Sequence, residues 1–189
     1  MNLINTHRLD VRAVYETWIV NDDPAAVTLD CIPTGYQVCH LPQLTATRST
    51  RGGDVCIIVH HNTLSVRSHP KQQLCQYASF ECMLVPVNEC GSTRSTDNIS
   101  AAVIYQPPTS SMSQFYDDLS DMFARIGDDI NTDWFVACGD FNRSGTDSTS
   151  IQAELTTLFN MCGLEQHVSN ATRTNVYSFW STRSHHQRR

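Results

Sequence analysis

The stretch Asp54-Val-Cys-Ile-Ile-Val-His60 is a nearly unbroken apolar run, too short for a helix. Such a run reads as a β-strand covered on both faces, which places it inside a layered structure. A second apolar segment, Trp134 to Cys138, runs directly into Gly139-Asp140-Phe141-Asn142. Between them, Ala78 to Val87 alternates, with Phe80, Cys82 and Leu84 on one face and Glu81 and Met83 on the other. Ile99 to Tyr105 is a further strand, stopped by Pro107-Pro108 and preceded by a polar, hairpin-like loop from Glu89 to Asn98 that contains Gly91. Shorter strands are expected over 9–18, with Glu16 near the carboxyl end, and over Tyr36 to His40.

Two segments carry helical periodicity instead. Phe115, Leu119, Met122, Phe123 and Ile126 mark a helix over Gln114 to Ile126, with Ser113 as its candidate cap. Ile151, Leu155, Leu158, Phe159 and Cys162 mark another, closed by Gly163. Asp22-Asp23-Pro24 is a helix-start signal, and Arg51-Gly52-Gly53 a tight turn or close backbone approach. No repeat and no linker interrupts the 189 residues, so one mixed α/β domain is expected.

Composition narrows the class. Hydrophobic residues make up 40% of the chain and charged ones 17%, which excludes wholesale disorder. No apolar run reaches the 18 residues of a membrane span, and Met1 to Trp18 has no signal-peptide core. The eight cysteines contain no C-x-x-C pair, and Cys56, Cys82 and Cys138 fall inside strand patterns. Buried free thiols are expected rather than disulfides, in a reducing compartment such as nucleus or cytoplasm. The net charge is −6 and Lys71 is the sole lysine, so a phosphate track must come from scattered arginines such as Arg48, Arg51, Arg67 and Arg94. That balance argues against a strong general DNA binder. It leaves room for an enzyme whose metal does the local electrostatic work.

Hydrolysing a phosphodiester needs a cation, an oriented water, and donors for the developing charge. Magnesium takes one or two carboxylates, with waters and substrate oxygens completing its shell. Glu16 and Asp140 both sit at expected strand ends, where a carboxylate is held rigidly yet reaches a cleft. The competing reading of Gly139-Asp140-Phe141-Asn142 is an ordinary turn.

Four strings in order, Glu16-Thr17-Trp18, Arg51-Gly52-Gly53, Tyr105-Gln106-Pro107-Pro108 and Gly139-Asp140-Phe141-Asn142, resemble the endonuclease/exonuclease/phosphatase domain of non-LTR (LINE-type) retrotransposon reverse transcriptase proteins. The resemblance continues through Gly35-Tyr36, the Phe115 helix and Gly163-Leu164-Glu165-Gln166-His167-Val168. It implies a four-layered α/β sandwich, two face-to-face β-sheets flanked by helices. It also implies Mg2+ or Mn2+ as cofactor and DNA as substrate. By the same resemblance Glu16 is the metal-binding glutamate, and Asp140 orients or deprotonates the attacking water. Asn142 contacts the scissile phosphate and its water, and the Tyr105 hydroxyl faces the phosphate. Blander roles stand beside these: a solvated carboxylate for Glu16, a packed aromatic against Pro107 for Tyr105, an Asx-turn for Asn142.

The pattern is incomplete at both ends. The family's opening strand carries an asparagine far upstream of the glutamate, and Asn2 and Asn5 lie too close to Glu16 to serve. After Ala171-Thr172-Arg173 the family continues into a strand with an aspartate and a Ser-Asp-His string, neither of which is present here. The domain is therefore expected over 1–173, with 174–189 a disordered tail, sheet edges left uncovered, and His185 and His186 outside any site. The functional expectations are a metal-dependent DNA endonuclease of retroelement origin, impaired by the missing His and Asp, or an inactive retroelement remnant. A same-fold phosphatase of small phosphoesters or lipid headgroups is the third.

Overall fold

A computed structural model of the chain describes residues 10–15, 32–41, 55–66, 77–90, 99–129, 134–141, 148–167 and 177–183. Strands β1 (Val11–Tyr15), β2 (Tyr36–Leu41) and β3 (Val55–His60) form an antiparallel sheet in the order β1-β3-β2. The other six form a larger sheet: β4 (Leu64–Val66), β5 (Glu81–Glu89), β6 (Ile99–Tyr105), β7 (Trp134–Asp140), β8 (Glu165–Gln166) and β9 (Tyr177–Arg183), in the order β4-β5-β6-β7-β9-β8. β6 and β7 run parallel, joined through helix α1 (Met112–Asp129). Their carboxyl ends therefore finish side by side. A second helix, α2 (Ser148–Met161), follows β7.

The sheets stack face to face, β1 across β6 and β7 and β3 across β5 and β6. Val55, Ile57 and Val59 of β3 pack against Met83, Val85, Val87, Ala101 and Val103. Alternation turns Cys56 and Ile58 to the outer face, with Val14, Tyr36 and Val38. These two are only 5% and 7% exposed, so β3 is covered on both sides as its apolar run predicts. The far face of the larger sheet buries Phe80, Cys82, Leu84, Ala102, Ile104, Phe135 and Ala137 beneath Phe115, Leu119, Met122 and Phe123 of α1 and Leu155 and Phe159 of α2. This is the expected sandwich of two sheets with helices outside. No helix among the described residues is long and apolar enough to cross a membrane. The described cysteines, Cys39, Cys56, Cys82, Cys90, Cys138 and Cys162, are all free.

Both helix ends have identifiable causes. The Ser110 N–H and hydroxyl close on the Pro107 carbonyl at 3.1 and 2.8 Å, which releases the chain into helix at Met112. The cap is thus Ser111, whose carbonyl accepts the Phe115 N–H at 3.0 Å, and not Ser113, which lies inside the first turn. At the far end of α2, Gly163 takes φ 71°. The Leu164 and Gly163 amides reach back to the Phe159 and Asn160 carbonyls at 2.9 and 3.0 Å, a Schellman closure.

Two expectations about the C-terminal stretch need correction. Tyr177–Arg183 is not a disordered tail: it is β9, antiparallel to β7 from Trp134↔Arg183 to Asp140↔Tyr177. Nor is the β7 edge left uncovered, because β9 pairs with it and with β8. The physical reason is local. Tyr177, Phe179, Trp180 and Thr182 favour a strand whatever motif they lack, and the edge of β7 offers a row of backbone partners. The helix-start signal at Asp22-Asp23-Pro24 and the histidines His185 and His186 lie outside the described residues.

Candidate active site

The expected strand Trp134 to Cys138 extends two residues further, through Gly139 and Asp140. In register with β6, Gly139 lies opposite Ile104 and Asp140 opposite Tyr105. A Cβ at position 139 would sit 1.9 Å from the Ile104 carbonyl oxygen. Gly139 is therefore part of the strand and not of a turn. It lets β6 and β7 close together one residue before the carboxylate. Because Asp140 is ladder-paired on both sides, to β6 and to β9, the ordinary-turn reading fails for it.

Alternation along β7 decides where Asp140 points. Phe135 and Ala137 belong to the helix-side core and Phe141 joins them, whereas Cys138 packs into the core between the sheets. Asp140 shares the face of Cys138 and is directed between the sheets. Tyr105 is a member of that same core. The pair is enclosed, with Asp140 4% and Tyr105 2% exposed. The adjacent Gln106 N–H donates to the Asp140 carbonyl at 2.9 Å, and its side-chain amide meets the Met112 Sδ at 3.5 Å. One residue thus ties the end of β7 to the start of α1.

A third strand reaches this end. Tyr15, the last residue of β1, lays its ring almost parallel to that of Tyr105, centroids 6.3 Å apart and planes inclined by 12°. Below the pair, the Cys138 thiol donates to the Ala102 carbonyl at 3.7 Å, and burial pushes its pKa up to about 11. That thiol is neutral at ordinary pH and a poor nucleophile.

Of the four residues singled out from sequence, the structure brings Tyr105 and Asp140 together; Glu16 and Asn142 lie outside the described residues, as does Arg51-Gly52-Gly53. Among the described residues no three His, Cys, Asp or Glu side chains are grouped to hold a metal ion. Two contributors escape sequence reasoning. Tyr15 carries one available signal, an aromatic immediately before Glu16. Gln106 carries none, since a buried amide in Tyr-Gln-Pro-Pro looks like loop polarity.

No protein-family model matches the chain, and no curated protein matches it by sequence. Solved structures do. An endonuclease/exonuclease/phosphatase from Bacteroides vulgatus superposes with TM-score 0.64 at 11% identity, over 95% of this chain and 75% of that one. ANGEL2, a 2',3'-cyclic phosphatase solved with adenosine-2',3'-vanadate, gives 0.64 at 12%, over 95% and 72%. D. rerio TDP2, solved with a single-strand DNA product, gives 0.58 at 11%, over 96% and 74%. Two stacked sheets with helices outside, matched along nearly the whole chain, give this protein the endonuclease/exonuclease/phosphatase fold.

Proposed function

We propose that this chain hydrolyses phosphodiesters, with DNA as substrate, magnesium or manganese as cofactor, and a LINE-type retroelement as its origin. The observation that carries the reading is the Tyr105–Asp140 pair: a phenol and a carboxylate side by side, facing one way, at the shared end of two parallel strands. An enclosed carboxylate is a competent general base for a water, and a phenol is a donor to a phosphoryl oxygen. On this reading Asp140 orients the water and takes its proton. The Tyr105 hydroxyl donates to the phosphate, and Asn142, two residues on from Asp140, contacts the phosphate and the same water. The donor chemistry suits a hard cation, since the group at the shared strand end is the carboxylate of Asp140. Glu16, next in the chain after Tyr15, would hold that cation, which supplies positive charge to the phosphoryl oxygens. TDP2 with its DNA product and the cyclic phosphatase ANGEL2 support phosphoester chemistry on this fold.

The near-complete enclosure of both side chains favours a second reading, in which the fold persists without catalysis. One experiment separates them. Purified full chain is incubated with supercoiled plasmid in Mg2+, in Mn2+ and in EDTA. Nicked circles in either metal, absent in EDTA and absent with Asp140→Asn, are the expected result. Intact plasmid at high enzyme concentration in both metals overturns the hydrolytic reading.

A further inference from the structure

The Tyr15–Tyr105 stack joins the two sheets at the end where the candidate site lies. Its halves are mounted differently. Tyr15 sits on β1, its backbone in register with Val55, a fully buried residue of β3. Tyr105 sits on β6, where ladder pairing to Glu81 and Asp140 fixes its Cα and leaves its ring direction to the side chains it touches. A phenol that must reach one oxygen is useless if its ring swings, and a ring laid flat against it removes that freedom.

We infer that Tyr15 is a positioning residue: its ring holds that of Tyr105, the residue in register with Asp140, in one orientation. The role belongs to the ring and not to the hydroxyl. The inference rests on the hydrolytic reading of the pair, and a misplacement of about 1 Å at such a site costs up to ~100-fold in rate.

The test uses the full chain with Tyr15→Phe and Tyr15→Leu. Ring-carbon-labelled tyrosine is followed by NMR, with Tyr105→Phe assigning the Tyr105 signals, alongside kcat, KM and melting temperature. Tyr15→Phe keeps a slowly flipping Tyr105 ring and restores kcat to within about twofold. Tyr15→Leu averages the Tyr105 ring signals and lowers kcat roughly 10- to 100-fold at unchanged KM. A Tyr105 ring still held in Tyr15→Leu overturns the inference, and so does a freed ring with kcat unchanged or a loss of activity in Tyr15→Phe. Should Tyr15→Leu melt below the assay temperature, Tyr15→Met is read in its place. Should the parent chain cleave nothing, the hydrolytic reading falls on the kinetic arm, while the NMR arm still decides whether Tyr15 holds Tyr105.

Discussion

The two faces of the larger sheet are built from different materials. Against the helices it presents rings: Phe80, Phe135 and Phe141 meet Phe115, Phe123 and Phe159, with centroids 5.5 Å apart between Phe80 and Phe115 and 5.9 Å between Phe135 and Phe123. Against the smaller sheet it presents Met83, Val85, Val87 and Val103, and that slab ends at Tyr105 with Asp140 beside it. Bulky rings fill the uneven gap between a sheet and a helix, whereas branched side chains fill the flatter gap between two sheets. A single strand, β7, serves both faces with alternate residues. The packed rings lie on one side of it and the candidate chemistry at the end of the other, so substitutions at these two places should separate into different measurements.

The largest effect tests the helix side. Phe159→Ala removes a fully buried ring and should cost about 3–5 kcal/mol. For a chain of this size that lowers the melting temperature by roughly 6–20 °C, while the residual folded protein keeps its cleavage rate. A fall in rate at temperatures where the variant is folded would show that the faces are not separable. Gly139→Ala breaks the comparison from the middle. Its Cβ meets a backbone oxygen that no rotamer change can move, so β6 and β7 must part at the Tyr105–Asp140 pair. We expect about 1–3 kcal/mol of destabilisation by urea unfolding, together with loss of cleavage in the folded fraction.

A smaller effect sharpens the helix side. Asp118 accepts the Ser79 hydroxyl at 2.7 Å and Ser79 N–H at 3.3 Å on one oxygen, and the Gln114 amide at 2.7 Å on the other. Asp118→Ala should therefore loosen α1 from the start of β5 and cost about 1 kcal/mol in urea unfolding, with activity unchanged. The smallest effect lies on the inter-sheet side. The Cys138 thiol has its pKa raised by burial to about 11 from an ordinary 9.0, so folding favours the neutral form. Its contribution is fully present below the ordinary value and fades as pH rises through 9 towards 11. Cys138 should resist iodoacetamide at neutral pH until the chain is unfolded, which peptide mapping of the alkylated protein reads directly.

Sequence patterns and structure agree where a residue's own period decides its state. The Val55–Val59 run, the alternation through Phe80, Cys82 and Leu84, and the helical faces at Phe115 and Leu155 carry their burial in their spacing. They diverge where a partner decides. Gly139 and Asp140 are turn residues in isolation, yet neighbouring strands on both sides hold them extended. Tyr177–Arg183 matches no motif and is ordered as strand by the edge it meets. Of the candidate site, Tyr105 and Asp140 stand out in sequence through their strand ends and ordered strings. Tyr15 does not, because an aromatic in a strand reads as core until its stacking partner is known.

The central claim is that Asp140 is placed for chemistry and not for stability. It is tested most directly by measuring plasmid nicking and thermal unfolding on the same preparations of the parent chain and Asp140→Asn. The account predicts metal-dependent nicking that falls at least ~100-fold in the variant, with a melting temperature equal to or above the parent's. Unchanged nicking in Asp140→Asn, or a loss of nicking matched by a loss of folded protein, would contradict it.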